Sequence, residues 1–214
     1  YQRVRKSMIR EFHHDDLENC KEIIELVWDF DGKIAPIQLS SLFKDIYVTS
    51  SLSESNFTKV VVINGKVEGF LFGKVGENDL IRTKYSGFLG RLKLIFELFS
   101  LRGVGFRQKM NCLNNMHEHD VNRKKIEPDK SCEVNLFAVN PDVQGGGLGK
   151  ILMNSFVEHC KSENAHKITL ETDKECNMGF YEHFGFKIKG DFYSSLQQEY
   201  SRTSGVSFVL ELYL

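Results

Sequence analysis

The 214 residues include 28 Lys and Arg and 29 Asp and Glu, which gives a formal net charge of −1 at neutral pH. A general nucleic-acid binder needs a clear basic excess, so we expect no nucleic-acid partner. Hydrophobic residues make up 41% of the chain and 17 residues are Phe, enough apolar side chain for one domain spanning residues 1–214.

The five cysteines are scattered, odd in number and without a CxxC pair, which is typical of reduced thiols. Residues 1–12 contain no apolar signal-peptide core. No run reaches the ~18 apolar residues of a membrane span. We therefore expect a cytoplasmic protein with no membrane partner.

The N-terminal part predicts a strand followed by two helices. Residues 5–12 favour a strand, and apolar side chains at helical spacing predict a helix over 17–30. A second helix is predicted over 36–46, with Pro36 at its start, where the missing N–H does no harm.

A hairpin is the clearest local signal. Two runs of β-branched and aromatic residues flank Asn64-Gly65, the preferred dipeptide of a type I′ turn. The sequence predicts an antiparallel pair of strands over 58–75.

Residues 80–130 match no motif and predict a helical insertion of one or two helices followed by a loop. Within it, residues 88–101 are apolar nearly all round, for which core packing is the favoured interpretation. A homodimer face and a wall of the acceptor pocket are the alternatives. The Lys and Arg in this segment argue against a helix on a membrane surface.

Four of the seven histidines occur in two short groups. His117 and His119 suggest a metal site, but a spacing of two residues separates their side chains around a helix. A solvated stretch is favoured, and we expect no metal. His13 and His14 predict an exposed turn.

The C-terminal part alternates between strands and helices, and Pro141 ends the first strand because proline cannot donate to a ladder. The order indicates a mixed α+β fold with a strand–loop–helix–strand unit at its centre. The predicted elements are a strand over 132–139, a helix over 147–160, a strand over 166–171, a helix over 177–184 and strands over 186–192 and 206–214.

Four glycines stand where the first of these strands leads into a helix. Backbone N–H groups at such a helix start bind anions, and glycine leaves room for a phosphate, with Lys150 as a countercharge. Lys150 is followed by Ile151, which excludes a P-loop. The residues at 150 and 152 are too large for either possible GxGxxG dinucleotide loop.

The remaining pattern is V-x-P-x-x-Q-x-x-G-x-G from Val139 to Gly149, and a second pattern, N-x-x-F-Y-E-x-x-G-F, runs from Asn177 to Phe186. With these motifs, residues 133–188 resemble the GNAT superfamily of acetyl-CoA-dependent N-acyltransferases. The resemblance implies a mixed α/β fold with a central, mostly antiparallel sheet. Its two central parallel strands splay apart, and helices cover both faces.

The resemblance also implies a site for acetyl-CoA as co-substrate in the gap between the splayed strands. Backbone groups of Phe137 and Val139 would pair with the pantetheine arm like an extra strand. The loop would hold the pyrophosphate, and Asn177 would contact the pantetheine arm. The implied cofactor-binding residues are Phe137, Ala138, Val139, Gln144, Gly145, Gly146, Gly147, Leu148, Gly149, Lys150 and Asn177.

Two residues are candidates for catalysis. Tyr181 holds the position of the family's general acid, beside the sulfur. Glu133 is a candidate general base, with surface charge and water-mediated proton removal as alternatives. Simple alternation along the strand puts Glu133, Asn135 and Phe137 on one side. Cys176 is not expected to act as a nucleophile, because the family transfers the acyl group directly.

The resemblance thus implies transfer of an acetyl group from acetyl-CoA to a primary amine of a small molecule or a peptide. One alternative is a non-catalytic module that binds acyl-CoA. Another is a transferase that uses a longer acyl-CoA, with residues 88–101 lining the acyl pocket.

Overall fold

The computed structural model describes residues 7–76, 79–129, 132–201 and 204–214, which form a seven-stranded sheet covered by helices. The strands are β1 (Ser7–Glu11), β2 (Phe57–Ile63), β3 (Lys66–Val75), β4 (Cys132–Val139), β5 (Lys167–Asp173), β6 (Lys187–Tyr193) and β7 (Val206–Tyr213). The helices are α1 (Leu17–Trp28), α2 (Phe30–Lys33), α3 (Ile37–Ser53), α4 (Gly87–Ser100), α5 (Phe106–Ile126), α6 (Leu148–Ser162) and α7 (Met178–His183).

The sheet has the strand order β1-β2-β3-β4-β5-β7-β6. All neighbouring strands are antiparallel except β4 and β5, which are parallel. This arrangement confirms the predicted mixed, mostly antiparallel sheet. The division of the chain into a single domain stays a prediction.

The two faces of the sheet carry separate hydrophobic cores. On one face, α1 and α3 pack on Phe70 and Phe72 of β3. On the other face, Phe156 of α6 packs on the sheet. A Cβ at Gly73 would lie 2.5 Å from Cε2 of Phe156, so glycine in β3 is what lets this helix approach the strand.

The predicted hairpin is confirmed, with β2 and β3 joined at Asn64-Gly65. Asn64 has a φ of 53° and Gly65 a φ of 83°, the positive values that a type I′ turn requires at both positions. The remaining predicted elements that fall on described residues are also present, with the helix predicted over 36–46 extending to Ser53. Part of the predicted strand over 5–12 lies outside the described residues.

The interpretation of residues 88–101 as core packing is wrong. They form most of α4, in which only Gly90 and Leu98 are buried. Phe88 and Phe96 are 75% and 72% exposed, because α4 is apolar on two faces and the protein covers one of them. No helix in the described ranges is both long and apolar enough to cross a membrane.

Candidate functional site

The parallel strands β4 and β5 separate soon after they pair. Their register comprises Glu133 with Thr169 and Val134 with Leu170. Beyond these pairs the strands diverge and leave a gap in the middle of the sheet, as the resemblance to the GNAT superfamily implies. The gap opens two cavities that meet between the strands.

A bulge in β4 lies at the start of the gap. The register with β3 shifts so that Phe72 pairs with Leu136 and Gly73 with Val134, which leaves Asn135 without a partner in β3. Asn135 instead donates from Nδ2 to the backbone oxygen of Glu54, at 2.8 Å. Bulges commonly end regular pairing and redirect side chains next to functional sites.

The bulge changes which β4 side chains share a face of the sheet, so the predicted assignment is wrong. Val134 packs in the core under α6, together with Phe137. Leu136 and Ala138 pack in the core on the opposite face. Glu133 and Phe137 therefore do not share a side, because the extra residue reverses the alternation.

The glycine loop ends at α6 and leaves the helix start open. Gly145 and Gly147 have φ values of 83° and 77°, a conformation that side chains with a Cβ rarely adopt. Gly147 is the N-cap of α6 and forms no side-chain cap, so the first N–H groups and the positive end of the helix dipole are available to an anion. A Cβ at either glycine would meet no atom within 4 Å, so this side of the loop is open.

The last glycine of the loop is needed for packing. A Cβ at Gly149 would lie 3.2 Å from Cζ of Phe137 and 3.3 Å from Cε2 of Phe180. The two rings stack with centroids 5.5 Å apart. Gly149 therefore lets α6 begin close to the end of β4.

A cavity of about 620 Å³, the donor cavity, lies between this loop and α7. All the predicted cofactor-binding residues line it except Gly146. Gln144 donates from Nε2 to the backbone oxygen of Val139, at 3.3 Å, and Lys150 is exposed. Asn177 caps α7 by accepting from the N–H of Phe180 at 3.2 Å.

Three lining residues of the donor cavity were missed by sequence reasoning. Trp28 lies at the end of α1, His183 lies on α7, and Lys33 adds a cationic side chain to that of Lys150, with its Nζ 3.9 Å from Oε2 of Glu175, which also lines the cavity. Trp28 and Lys33 belong to no recognisable motif, because α1 and α2 reach the site only through the tertiary fold, and His183 occupies a position that the second motif leaves unspecified. The cationic side chains and the uncapped helix start fit a ligand that carries phosphate groups, such as coenzyme A.

A second cavity, the acceptor cavity, has a volume of about 260 Å³ and shares Trp28, Phe137, Cys176 and Tyr181 with the donor cavity. Carboxylates dominate its charge. Its acidic residues are Glu54, Asp120, Glu133, Glu171 and Asp173, and its basic residues are His119 and Arg123.

Tyr181 lies at the junction of the two cavities. Burial raises the pKa of its hydroxyl, and the neighbouring Cys176 and Asp173 raise it further. The phenol is therefore protonated at neutral pH and able to donate. Burial also raises the pKa of the Cys176 thiol, which disfavours the thiolate that a nucleophile would need.

Glu133 forms a salt bridge with Arg123 of α5, and both side chains are buried, with 7% and 4% of their surfaces exposed. The guanidinium of Arg123 also donates to the backbone oxygen of Glu127, at 3.1 Å. A carboxylate held in this way is poorly suited to accept a proton. The geometry favours a structural role for Glu133 over the predicted role of general base.

His119 and Glu171 form a second polar pair in the acceptor cavity. Nε2 of His119 lies 3.3 Å from Oε2 of Glu171, and Nδ1 lies 2.9 Å from Oγ of Ser194. The expectation of a solvated stretch is wrong for His119, which is half-buried against Phe192, and correct for the exposed His117. One face of α5 carries residues spaced by four, three and four positions, namely Cys112, Met116, His119 and Arg123. This spacing could have revealed that the face points inward.

A smaller apolar cavity of about 140 Å³, the side pocket, adjoins the acceptor cavity. The two share Trp28, Tyr47, Leu196 and Gln197. The aromatic rings of Phe43 and Tyr200 close it, with centroids 4.7 Å apart. Residues 88–101 line neither this pocket nor the donor and acceptor cavities, so the alternatives of an acyl pocket or an acceptor-pocket wall at that segment are wrong.

No group of three His, Cys, Asp or Glu residues within the described ranges could hold a metal ion.

Residues 110–186 match the sequence model of the Acetyltransferase (GNAT) family. Over 63 residues the chain is 38% identical to an uncharacterized N-acetyltransferase, ycf52, of Gracilaria tenuistipitata var. liui. That alignment covers 27% of this chain and 34% of the relative, so the chain spans about a third of the length of the curated relative that it matches.

Solved structures show the same fold. Ard1 from Thermoplasma volcanium has a TM-score of 0.52 at 19% identity, with 97% of each chain covered. Arabidopsis thaliana Naa50, in complex with the bisubstrate analogue CoA-Ac-MVNAL, has a TM-score of 0.55 at 14% identity, with 97% of this chain and 99% of that chain covered.

Proposed function

The chain carries a GNAT-family acetyltransferase domain, and from this premise we propose that it transfers the acetyl group of acetyl-CoA to a positively charged amine. The observation that carries the proposal is the meeting of the donor and acceptor cavities at Tyr181, in the gap between β4 and β5. The reaction forms a bond from the amine nitrogen to the acetyl carbon and breaks the carbon–sulfur bond. The ammonium nitrogen loses two protons on becoming an amide: the departing thiolate gains the equivalent of one, and the other passes through a base to solvent.

The donor cavity supports acetyl-CoA as the co-substrate, which supplies an activated acetyl thioester. The open backbone N–H groups after Gly147 and the cationic side chains of Lys33 and Lys150 would bind its phosphates. The edge of β4 from Phe137 to Val139, which β5 leaves uncovered, would pair with the pantetheine amides. Asn177 is the predicted contact to the same arm, through the part of its side chain that does not cap α7.

Tyr181 would supply the proton for the leaving thiolate. The residue lines both cavities, and its raised pKa keeps the proton on the hydroxyl until a strong base forms beside it. The neighbouring Cys176 thiol has a raised pKa as well and is not needed for direct transfer.

The pair of His119 and Glu171 would accept the proton of the amine. An amine must be neutral to attack a carbonyl carbon, and a general base works best when its pKa lies near the working pH. Glu171 raises the pKa of His119 from its ordinary value toward that range. The pair replaces Glu133 as the proposed base because Glu133 is already paired with Arg123.

The acceptor cavity supports a cationic amine that also carries an apolar group. Its carboxylates outnumber its basic groups, which favours a positively charged ligand. The rings of Trp28 and Tyr47, with centroids 5.7 Å apart, add faces that attract a cation. The adjoining side pocket could take an aliphatic or aromatic group of modest size.

The test is a panel of amines incubated with the protein and acetyl-CoA, with thiol release and the mass of the product as readouts. The panel contains short diamines, diamines with one alkyl or aryl substituent, neutral-tailed monoamines, carboxylate-bearing amines and peptides with a free N-terminus. We expect substituted diamines to give the highest kcat/KM and amines with a carboxylate the lowest. Succinyl-CoA and a long-chain acyl-CoA replace acetyl-CoA in a second series, in which we expect slower turnover.

Binding of acetyl-CoA without turnover of any amine would contradict the proposal and favour a non-catalytic acyl-CoA module. Turnover that prefers acidic amines would keep the acyltransferase and overturn the proposed acceptor class.

A further inference from the structure

The helical insertion exposes a large apolar surface, which we name the outer apolar face. It consists of Phe88, Leu89, Leu92, Ile95 and Phe96 on α4 and Phe106 on α5. Leu89 is 78% exposed and Phe106 is 71% exposed. A contiguous exposed apolar surface of this kind commonly marks an interaction site, whereas single exposed apolar residues need no explanation.

The outer apolar face is a separate side of α4 from the one that packs on the protein. Side chains at 88, 92, 95, 96 and 99 follow one another at helical steps and lie on one side. Leu98, which is buried, packs with Leu101 and Val104 in a core on the other side. The rings of Phe99 and Phe106 meet edge to face at 5.8 Å, which makes the face continuous from α4 to α5.

Positive charge surrounds this face. From Arg82 to Met110, seven residues are Lys or Arg, and Glu97 is the one acidic residue, in a chain whose net charge is −1. Glu97 accepts a hydrogen bond from the hydroxyl of Tyr85 and lies 4.0 Å from Nζ of Lys93. Lys84 pairs with Asp45, and Lys109 is buried. Arg91, Arg102 and Arg107 are exposed, and none of the described carboxylates forms an ion pair with them.

We propose that the outer apolar face binds the surface of an anionic lipid membrane. A helix with aromatic and aliphatic residues on one side and basic residues at its margins lies in the interface, with the apolar side among the acyl chains and the basic side chains at the headgroups. Its 14 residues are too few to span a bilayer, and none of the described helices is a candidate span. The proposal departs from the sequence-based expectation of no membrane partner. It also reverses the argument that the Lys and Arg of residues 88–101 oppose a membrane-surface helix, because the exposed Arg side chains accompany an apolar face that the protein leaves uncovered.

A second copy of the chain is a poorer occupant of this surface. A two-fold interface places the same patch of both copies face to face. The basic margins of the two copies would then lie opposite one another, and like charges in contact oppose association. Acidic phospholipids match both the apolar and the basic parts of the surface.

The test is flotation of the full chain with vesicles of phosphatidylcholine alone or of phosphatidylcholine and phosphatidylserine. We expect binding to the anionic vesicles, weak binding to the neutral ones, and loss of binding as salt is raised. The double variant Phe88→Ser/Phe96→Ser and the double variant Arg102→Gln/Arg107→Gln should each weaken the partition by about tenfold or more.

Leu26→Ser is the matched control, because Leu26 on α1 is 54% exposed but lies outside the outer apolar face. It should bind like the parent chain. Urea unfolding of each variant checks that these exposed substitutions leave the fold intact.

Three outcomes would overturn the proposal. The parent chain could fail to bind anionic vesicles. It could bind them equally well after either double substitution. Sedimentation velocity could instead show a dimer that Phe88→Ser/Phe96→Ser dissociates, which would assign the face to a second copy. None of these outcomes bears on acetyl transfer, so the proposed function is tested separately.

Discussion

Nε2 of His119 on α5 lies 3.3 Å from Oε2 of Glu171 on β5, so the helical insertion contributes a titratable group to the gap between the central strands. Burial lowers the pKa of His119, but the hydrogen bond and the charge of Glu171 outweigh this effect, and the net pKa is raised. Arg123 approaches the same carboxylate, with Nε 3.7 Å from Oε2. The insertion is therefore part of the candidate active site.

Glu171→Gln should move the acidic limb of the profile of kcat/KM against pH to lower pH. If neutral His119 accepts the proton, the rate rises with pH through the pKa of His119, and removing the carboxylate lowers that pKa. Glu54→Gln is the control, because Glu54 lines the same cavity but is not among the groups that shift His119. An unchanged limb in Glu171→Gln would exclude His119 as the titrating base.

Tyr181→Phe should lower kcat by about 10²–10⁴ and leave the affinity for coenzyme A unchanged. The substitution removes the proton donor and keeps the ring that packs against Phe180 and Phe186, so the loss is one of chemistry rather than of folding. Tyr47 lines the acceptor cavity and the side pocket but not the donor cavity, so Tyr47→Phe should affect KM for the amine more than kcat. Retention of full kcat in Tyr181→Phe, measured with saturating substrates, would refute the general-acid assignment.

Local sequence patterns predicted most of the strands and helices, because each carries its own periodicity or turn signal. The hairpin at Asn64-Gly65 and the open glycines before α6 are such cases. Asn135 is different: its bulge depends on pairing with β3 and on the backbone of Glu54, so alternation in the sequence assigned the wrong side. The partners of Glu133 and Glu171 lie on α5, in a segment without a motif, and only the tertiary fold brings them together.

The two apolar sides of α4 also show what the sequence alone cannot predict. Composition identifies residues 88–101 as a helix that buries apolar surface, but it does not say which side the protein covers. Leu98 faces the core and Phe96 faces outward because α3 and α5 pack on one side only.

Gly147→Val should weaken the binding of coenzyme A by about tenfold or more, which corresponds to about 1.4 kcal/mol. Valine disfavours the φ of 77° that the backbone needs at the start of α6, and its side chain would project into the donor cavity. Gly103→Val is the matched control. Gly103 has a φ of 79° and open space around it, but it does not line the donor cavity. Calorimetric titration of coenzyme A into both variants measures the effect, and equal affinities would exclude the loop as the phosphate site.

Arg123→Met should lower the free energy of unfolding by about 3–5 kcal/mol, because it leaves the carboxylate of Glu133 buried without its cationic partner. The double variant Arg123→Met/Glu133→Leu should recover much of this loss, since replacing a whole buried ion pair by apolar side chains is often nearly neutral. Equilibrium unfolding in urea measures both. If the double variant were no more stable than Arg123→Met, Glu133 would not be the group that depends on Arg123. A stable double variant that still turns over amines would in addition rule out Glu133 as the general base.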